Sequence, residues 1–321
     1  MEIRDLSVEI GARGRKIRWT SILNHINLSL EQGEVLGLVG ESGCGKTMTV
    51  LALMGLLPPG GRIAGGSIRF MDRDLSGLSP KELAKIRGKH ISMIFQEPMT
   101  SLDPLMTIGE QIREILARHE GLKGAANKEK CLHLLQTVHI PEPGKIYHCH
   151  PFRLSGGMRQ RVMIAMALAC EPELIIADEP TTALDVTTQA QILDLFNEIR
   201  SRTRMSFIFV THDLGVIAEI ADRTSVMYAG YVVEECSVAA LFRSPAHPYT
   251  YGLMRSRMGR RNSNRDQLYS IPGSVPAPGN MPGGCPFAPR CQLAAARCSR
   301  EIPPLAEIHA GHRVRCWRQV I

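Results

Sequence analysis

The chain has 321 residues, of which 44% are hydrophobic and 21% charged, so it is long enough for one large or two modest globular domains. It contains no run of 18 apolar residues, the longest lying at about Val162 to Cys170, and Met1–Asp5 has neither a basic start nor an apolar segment, so we expect no membrane span and no secretory signal. The net charge of +7 leaves a nucleic-acid partner open.

Residues 1–255 alternate short apolar runs with amphipathic stretches, which is the pattern of an α/β domain. We predict buried strands at Glu34–Val39, Ile91–Phe95, Leu174–Ala177, Phe207–Val210 and Ser225–Tyr228. We predict helices at Thr47–Leu56, Gly109–Arg118, Gly156–Cys170, Thr188–Arg200 and Leu214–Ala221. Residues 256–321 differ: eight of the 14 residues in Ile271–Gly284 are Pro or Gly, which predicts a linker or irregular loop.

A phosphate-binding loop is predicted at Gly40-Glu41-Ser42-Gly43-Cys44-Gly45-Lys46-Thr47, which fits G-x-x-x-x-G-K-[ST] between a strand and a helix. Gly43 and Gly45 permit backbone angles that turn N–H groups toward a phosphate, and the helix N-terminus adds a favourable dipole. Lys46 would reach the β- and γ-phosphates, and Thr47 would bind Mg²⁺. The alternative is a glycine-rich turn without a ligand.

Two adjacent carboxylates, Asp178 and Glu179, end the apolar strand that begins at Leu174. Packing does not account for charges at the end of a buried strand, because they need a cation or the mouth of a sheet. Asp178 would hold Mg²⁺ through water, and Glu179 would polarise an attacking water. A merely solvated strand end is the alternative.

A third motif, Leu154-Ser155-Gly156-Gly157-Met158-Arg159-Gln160, opens a predicted helix about twenty residues before that strand end. Ser155 can cap the helix, and the two glycines let a ligand approach the backbone. In this place and order the chain resembles the ABC ATPases, in which Ser155, Gly156, Gly157 and Met158 match the signature that contacts ATP held by a second subunit. The resemblance covers nearly the whole chain.

The resemblance implies an α/β fold: a P-loop ABC ATPase domain with a mixed or parallel RecA-like core, an antiparallel β subdomain and a helical subdomain, in residues 1–255. The helical subdomain would span about residues 97–152. A small irregular region rich in cysteine would follow in residues 256–321.

The resemblance also assigns roles to single residues. Gln96 matches the Q-loop glutamine, Asp185 in Ala183-Leu184-Asp185 matches the D-loop, and His212 matches the switch histidine that contacts the γ-phosphate. The implied catalytic residues are Glu179, His212 and Gln96, and the implied Mg²⁺ ligands are Thr47, Gln96 and Asp178. Trp19 is the nearest aromatic residue that could stack on adenine, as the family often does, or it could be an ordinary buried or surface Trp.

Within the helical insert, an apolar stretch lies near Gln96. Its residues are Met99, Leu102, Leu105, Met106 and Ile108. Met-rich surfaces suit docking of a partner, and in ABC ATPases this subdomain receives a helix of the membrane subunit. Ordinary core packing is the alternative. A basic stretch from Arg255 to Arg265 similarly indicates either a solvated loop or a patch for phosphate or a membrane surface.

Nine cysteines are present, and disulfides are not expected for the cytoplasmic chain we predict. Four of them, Cys285, Cys291, Cys298 and Cys316, gather in 32 residues with few large apolar neighbours. No C-x2-C pair is present, so a zinc ribbon fits badly, whereas four thiols suit a [4Fe–4S] cluster. Reduced free thiols are the further alternative.

The sequence Cys285-Pro286-Phe287-Ala288-Pro289-Arg290-Cys291 resembles the C-terminal motif of the ATPases of oligopeptide, dipeptide and nickel importers, some of which carry such a cluster. His247-Pro248-Tyr249-Thr250 and Ile271–Pro276 resemble the same family. This implies an ATPase on the cytoplasmic face of the membrane that works with a homologous ATPase in a heterodimer, two permeases and a solute-binding protein, without nucleic acid. A soluble ABC ATPase that acts on nucleic acid or ribosomes, and an exporter-type ATPase, are the other classes.

Overall fold

Residues 1–12, 17–97, 101–182, 184–258 and 269–320 are described in the computed structural model of the chain. They form two compact units. The first comprises Met1–Leu30, Leu36–Gly77 and Thr211–Ile321, and the second comprises Glu31–Val35 and Leu78–Val210. The predicted boundary at residue 255 is not a division between these units, because residues on both sides of it belong to the first. It stays a prediction.

The strands, in chain order, are β1 (Glu2–Ala12), β2 (Arg18–Ser29), β3 (Val35–Val39), β4 (Gly61–Phe70), β5 (Arg73–Asp74), β6 (Ile91–Ile94), β7 (Leu174–Asp178), β8 (Ser206–Thr211), β9 (Arg223–Tyr228), β10 (Tyr231–Ser237), β11 (Ala306–His309) and β12 (His312–Val314). The α-helices are α1 (Lys46–Met54), α2 (Pro80–Ile86), α3 (Ile108–Glu120), α4 (Gly124–Thr137), α5 (Pro143–Ile146), α6 (Gly156–Leu168), α7 (Val186–Arg202), α8 (Leu214–Ile220), α9 (Val238–Arg243) and α10 (Pro248–Met258). Short 3-10 helices lie at Pro151–Arg153 and Ala288–Arg290.

The first unit contains an antiparallel sheet in the order β2-β1-β4-β5. Leu6, Val8, Leu23 and Ile26 of β1 and β2 are fully buried. Register shifts interrupt the β1–β2 pairing at three points. Each shift displaces the inward and outward alternation of side chains, so a search for period-two hydrophobicity does not detect these strands. The antiparallel subdomain was expected from the family resemblance alone.

The first unit also contains strands in the order β3-β9-β10-β12-β11. β3 runs parallel to β9, and β10, β12 and β11 follow in antiparallel pairs. β11 and β12 come from the C-terminal region, so Ala306–His309 and His312–Val314 belong to the same sheet as β3, the strand before the predicted phosphate loop. Ile271–Gly284 forms neither helix nor strand, as its Pro and Gly content predicts.

In the second unit, β6, β7 and β8 run parallel, so their carboxyl ends lie at one edge. Helix α7 packs on β8 through Phe196, whose ring lies 4.8 Å from that of Phe209 and 5.9 Å from that of Phe207. α3 and α4 occupy the predicted helical insert. α3 begins at a capping box in which Thr107 accepts from the backbone N–H of Glu110, and it ends at Gly121 in the left-handed conformation.

The predicted strands and helices are all confirmed, with boundary differences of one or two residues. The predicted helix Gly109–Arg118 is observed as α3, for example, and the predicted strand Phe207–Val210 as β8. No helix in the described ranges is long and apolar enough to cross a membrane. The α/β fold that the family resemblance implied, with an antiparallel β subdomain and a helical subdomain, is observed.

The residues of the apolar stretch near Gln96 differ in how far they are buried. Leu102 and Ile108 are buried and belong to the core, whereas Leu105 is 86% exposed. Met99 lies outside the described residues, as do Arg260, Arg261 and Arg265 of the basic stretch. Arg255 is exposed and lies 4.6 Å from the centre of the Tyr269 ring.

Candidate active site

The predicted phosphate loop joins β3 to α1 in the first unit. Gly43 has a φ of 78° and Gly45 a φ of 109°, the left-handed conformations that the motif requires. Ser42, Gly43 and Thr47 are exposed, and Cys44 is fully buried beneath the loop. Burial raises the pKa of the Cys44 thiol, so this side chain packs as a neutral group while its backbone belongs to the loop.

Lys46 is the first residue of α1, and its side chain extends back over the loop. Its Nζ donates to the backbone oxygens of Gly40 at 2.7 Å and Glu41 at 3.1 Å, and the residue is 5% exposed. The turn between β9 and β10 supports the loop from behind, because Gly230 N–H donates to Cys44 O at 2.8 Å. The ammonium group is therefore held within the backbone cradle that a phosphate would enter.

In the second unit, β7 ends at Asp178, which is 3% exposed. Glu179 then adopts a φ of 48°, a conformation that costs a non-glycine residue energy and that concentrates at functional sites. Its Oε2 accepts from Gln96 Nε2 at 3.2 Å and from Thr182 Oγ1 at 2.8 Å. Its N–H donates to Val210 O at 2.8 Å. The structure thus brings together two of the predicted catalytic residues, Gln96 and Glu179.

The signature and the D-loop meet at one threonine of the second unit. Ser155 caps α6, accepting from the N–H of Met158 at 3.3 Å, as predicted. Asp185 caps α7 by accepting from Thr188 N at 2.9 Å and Thr188 Oγ1 at 2.7 Å, and these bonds lower the pKa of Asp185. A Cβ on Gly157 would lie 2.7 Å from Thr188 Cγ2, so Thr188 connects both motifs. Ala183 lies outside the described residues.

His212 directly follows β8 and is exposed. Asp213, the next residue, caps α8 by accepting from Gly215 N at 2.7 Å, which fixes the turn that carries the histidine. Residues 40–47 and His212 belong to the first unit, and Gln96, Asp178, Glu179 and Ser155 belong to the second.

Trp19 lies on β2, opposite Gly11 of β1, and is 38% exposed. The guanidinium of Arg62 lies 3.6 Å from the centre of its ring, and Arg62 also binds Glu9. A stacked base would use the other face of Trp19 or displace Arg62. The adenine role stays a prediction.

The four C-terminal cysteines line one cavity in the first unit, together with His247, Phe287 and Trp317. All nine cysteines of the chain are free of disulfides. Among the described residues, no three of the four C-terminal sulfurs lie mutually within 4.8 Å. Backbone N–H groups point at them: Ala295 N lies 3.5 Å from Cys298 Sγ and Arg318 N lies 3.3 Å from Cys316 Sγ.

Burial raises the pKa of Cys285 and Cys291, and it raises the pKa of Cys316 to about 11. Backbone N–H groups of Phe287 and Leu293 act in the opposite direction at Cys285 and Cys291. Burial therefore favours the neutral thiols of Cys285, Cys291 and Cys316 unless a cation compensates the thiolates.

A buried carboxylate holds this region against β10. Glu234 is fully buried and accepts from the backbone N–H groups of Ala246 and His247, at 2.7 and 2.9 Å, and contacts His312 Nε2 at 2.8 Å. Burial lowers the pKa of His247 to about 3, so this residue is neutral, and its Nδ1 accepts from Tyr249 N at 3.0 Å. His247 therefore has a structural role in this region.

Thr182, Thr188 and Glu234 were not predicted as site residues, because their partners are distant in the chain or depend on a turn conformation. Arg290 was named only as part of the C-terminal motif, without a role. Only the Glu179-Pro180-Thr181-Thr182 succession, directly after the predicted carboxylates, could have suggested Thr182.

Two family models match the chain. The model for "ABC transporter" matches residues 23–182, and the model for "Oligopeptide/dipeptide transporter, C-terminal region" matches residues 233–298. The second match includes three of the four C-terminal cysteines.

Curated relatives match over nearly the full length. The chain is 47% identical to a probable peptide ABC transporter ATP-binding protein of Sinorhizobium fredii, over 99% of this chain and 94% of the relative. It is 50% identical to the oligopeptide transport ATP-binding protein AppD of Bacillus subtilis, over 91% and 89%. Among solved structures it is similar to the dimeric ATP-binding cassette MJ0796 bound to ADP and Pi, with a TM-score of 0.65 and 28% identity over 74% of this chain and 98% of that chain.

Proposed function

Because this chain belongs to the ABC transporter family of ATP-binding subunits, we propose that residues 40–47 bind the phosphates of ATP and that Glu179 promotes attack of water on the γ-phosphate. The chain is an ATPase that powers transport. The observation that carries the residue assignment is the left-handed Glu179, held by Gln96 and Thr182 at the end of β7.

The phosphate loop supplies binding. Phosphate oxygens would take the place of the Gly40 and Glu41 carbonyls as acceptors for Lys46, and the N–H groups of the loop would donate to them. Thr47, Gln96 and Asp178 offer a hydroxyl, an amide and a carboxylate, which are oxygen ligands that suit Mg²⁺. Bound Mg²⁺ would neutralise charge on the β- and γ-phosphates.

In the hydrolytic step, the water oxygen forms a bond to the γ-phosphorus, and the bond to the bridging oxygen breaks to give ADP and phosphate. Glu179 would accept a hydrogen bond from that water and draw off its proton. Gln96 and Thr182 fix the carboxylate orientation, and His212 would contact the γ-phosphate.

A second ATPase subunit completes each site in this proposal. Ser155, Gly156, Gly157 and Met158 would contact ATP held by the partner, and Asp185 would carry the D-loop role. The open N-terminus of α6 supports this, because Ser155 and Gly156 are exposed and helix N-termini attract phosphate. We propose a homologous ATPase as the partner, in a heterodimer.

We further propose that the subunit powers import of a small solute, namely a dipeptide or oligopeptide. The relatives named above are described as peptide transport proteins. Two membrane permeases and a solute-binding protein would complete the transporter, and the chain would sit on the cytoplasmic face of the membrane. We propose that a permease helix docks at the segment that contains Leu105, which is exposed and near Gln96 in sequence.

Co-purification distinguishes the transport function from that of a soluble ABC ATPase that acts on nucleic acid. We expect affinity capture of the full chain from detergent-solubilised membranes to recover permease subunits and a second ATPase. Free nucleic acid should be absent after a nuclease-free purification. Recovery of RNA or DNA without any permease would contradict the transport function and favour a soluble ABC ATPase.

We also propose that Cys285, Cys291, Cys298 and Cys316 hold a [4Fe–4S] cluster. Four thiols line one cavity, backbone N–H groups point at their sulfurs, and such hydrogen bonds stabilise cluster ligands. Tetrahedral zinc would draw thiolate sulfurs to about 3.8 Å from one another. No three of the four sulfurs lie that close to one another among the described residues.

Anaerobic purification tests the cluster. We expect a brown protein with visible charge-transfer absorption and about four iron atoms per chain. Cys298→Ala should lose most of the iron, whereas Cys170→Ala, which removes a cysteine outside this cavity, should keep it. A colourless wild-type protein with one zinc per chain would contradict the proposal.

A further inference from the structure

Arg290 joins the four-cysteine region to the phosphate loop. Its Nη1 lies 2.7 Å from Glu41 Oε2 and its Nη2 lies 3.1 Å from Glu41 Oε1. The Arg290 side chain is 5% exposed and that of Glu41 is 31% exposed. Two parallel bonds between a guanidinium and a carboxylate are stronger and more directional than a single contact.

The other donors of Arg290 are also satisfied. Nε donates to Pro272 O at 2.8 Å, Nη2 to Ile271 O at 3.3 Å and Nη1 to the Tyr228 hydroxyl at 3.4 Å. All five N–H groups of the guanidinium therefore have an acceptor. The hydrogen bond with Glu41 raises the pKa of Arg290, so its charge is permanent. The side chain cannot turn away without leaving buried donors unpaired.

The same region holds the backbone of Glu41. The N–H of Glu41 donates to the Tyr249 hydroxyl at 2.8 Å, and Tyr249 is fully buried. Phe287 packs against Tyr249 and Tyr228, with ring centroids 5.4 and 5.2 Å apart. Phe287 and Arg290 both lie between Cys285 and Cys291. This short segment therefore binds the Glu41 side chain through Arg290 and, through Phe287, packs against the Tyr249 that binds the Glu41 backbone.

We propose that Arg290 is a positioning residue for ATP binding: it neutralises Glu41 and fixes the second residue of the phosphate loop. The role rests on the proposed phosphate site at residues 40–47. ATP brings several negative charges to that loop. Without Arg290, the Glu41 carboxylate would repel them, and the Glu41 side chain would lose the two bonds that orient it. The C-terminal region thereby acts on nucleotide affinity without contacting the nucleotide.

Titration of the full chain with a fluorescent ATP analogue and Mg²⁺ tests this role. We expect Arg290→Met to weaken binding about tenfold, near the lower end of typical couplings between sites. Arg290→Lys, which keeps the charge but not the paired bonds, should fall between Arg290→Met and wild type. The matched control is Arg300→Met, which removes an exposed arginine from the same region and should bind as wild type.

The decisive variant is Arg290→Met combined with Glu41→Gln, because the second change removes the charge that the first leaves uncompensated. We expect it to bind ATP more tightly than Arg290→Met alone. A double variant no better than Arg290→Met, or an Arg290→Met protein with wild-type affinity, would overturn the role. Lys46→Ala serves as the separate test of the loop: if it keeps full affinity, the phosphate site itself is wrong, and the role of Arg290 falls with it.

Discussion

Glu179→Gln abolishes steady-state ATP hydrolysis while leaving ATP bound; this is the largest effect on activity that we expect from a single substitution. General-base catalysis contributes about 10²- to 10⁴-fold to a rate, and a glutamine amide cannot accept the proton. The amide keeps one carbonyl oxygen, which can still accept from Gln96 and Thr182. The geometry of the site should therefore survive the loss of the base.

Phosphate release measures the loss of ATP hydrolysis in Glu179→Gln, and retention of labelled ATP measures whether ATP stays bound. Glu173→Gln is the matched control, because Glu173 directly precedes β7 at its amino end while Glu179 follows it at the carboxyl end. Glu173 pairs with His90 at 3.1 Å and is partly exposed, so its loss should leave turnover unchanged. Normal hydrolysis in Glu179→Gln would refute the role of Glu179.

Gly284→Ala destabilises the C-terminal region and, under our proposal, removes its iron. A Cβ at Gly284 would lie 2.3 Å from Cys298 O and 2.7 Å from Arg300 N. Both atoms belong to the backbone, so they can move away only if the segment that carries Cys298 shifts. Overpacking of this kind costs roughly 3 kcal/mol. The bond from Cys285 N to Cys298 O, at 2.8 Å, would be disturbed as well.

Gly283→Ala is a control that differs by one position. A Cβ there would meet its nearest atom, Ser299 O, at 3.9 Å, which is ordinary contact. We expect Gly283→Ala to keep the wild-type thermal midpoint and iron content, and Gly284→Ala to lose several degrees and most of the iron. Equal midpoints for the two variants would show that the close backbone approach at Gly284 is not a constraint.

Much of the fold could be predicted because the parallel strands are continuous apolar runs. β7 and β8 are buried along their whole length, so composition alone locates them. β1 and β2 could not be located in this way, because their register shifts break the alternation. The short helix α9 has only six residues, which leaves too little periodicity to detect.

Some residues of the candidate site could also be predicted from the sequence, and others could not. Lys46, Ser155 and Glu179 follow from local motifs, since the strand-to-helix turns that carry them are encoded within a few residues. The contacts of Arg290 with Glu41 join residues 249 positions apart, and no local pattern signals such a pair. The left-handed turn at Glu179 was equally hidden, because no glycine marks it.

The position of Cys316 has a consequence for the order of biosynthesis. Residues 40–212 leave the ribosome before the C-terminal hairpin exists, and β12 must return to β10, whose Glu234 was added 78 residues before His312. At about 5 to 20 residues per second, Cys316 follows Cys285 by roughly 2 to 6 s. The fourth thiol therefore arrives after most of the chain can fold. Under our proposal, loading of the four-cysteine site would be a late maturation step, and the contacts of Arg290 with Glu41 would form in that same interval.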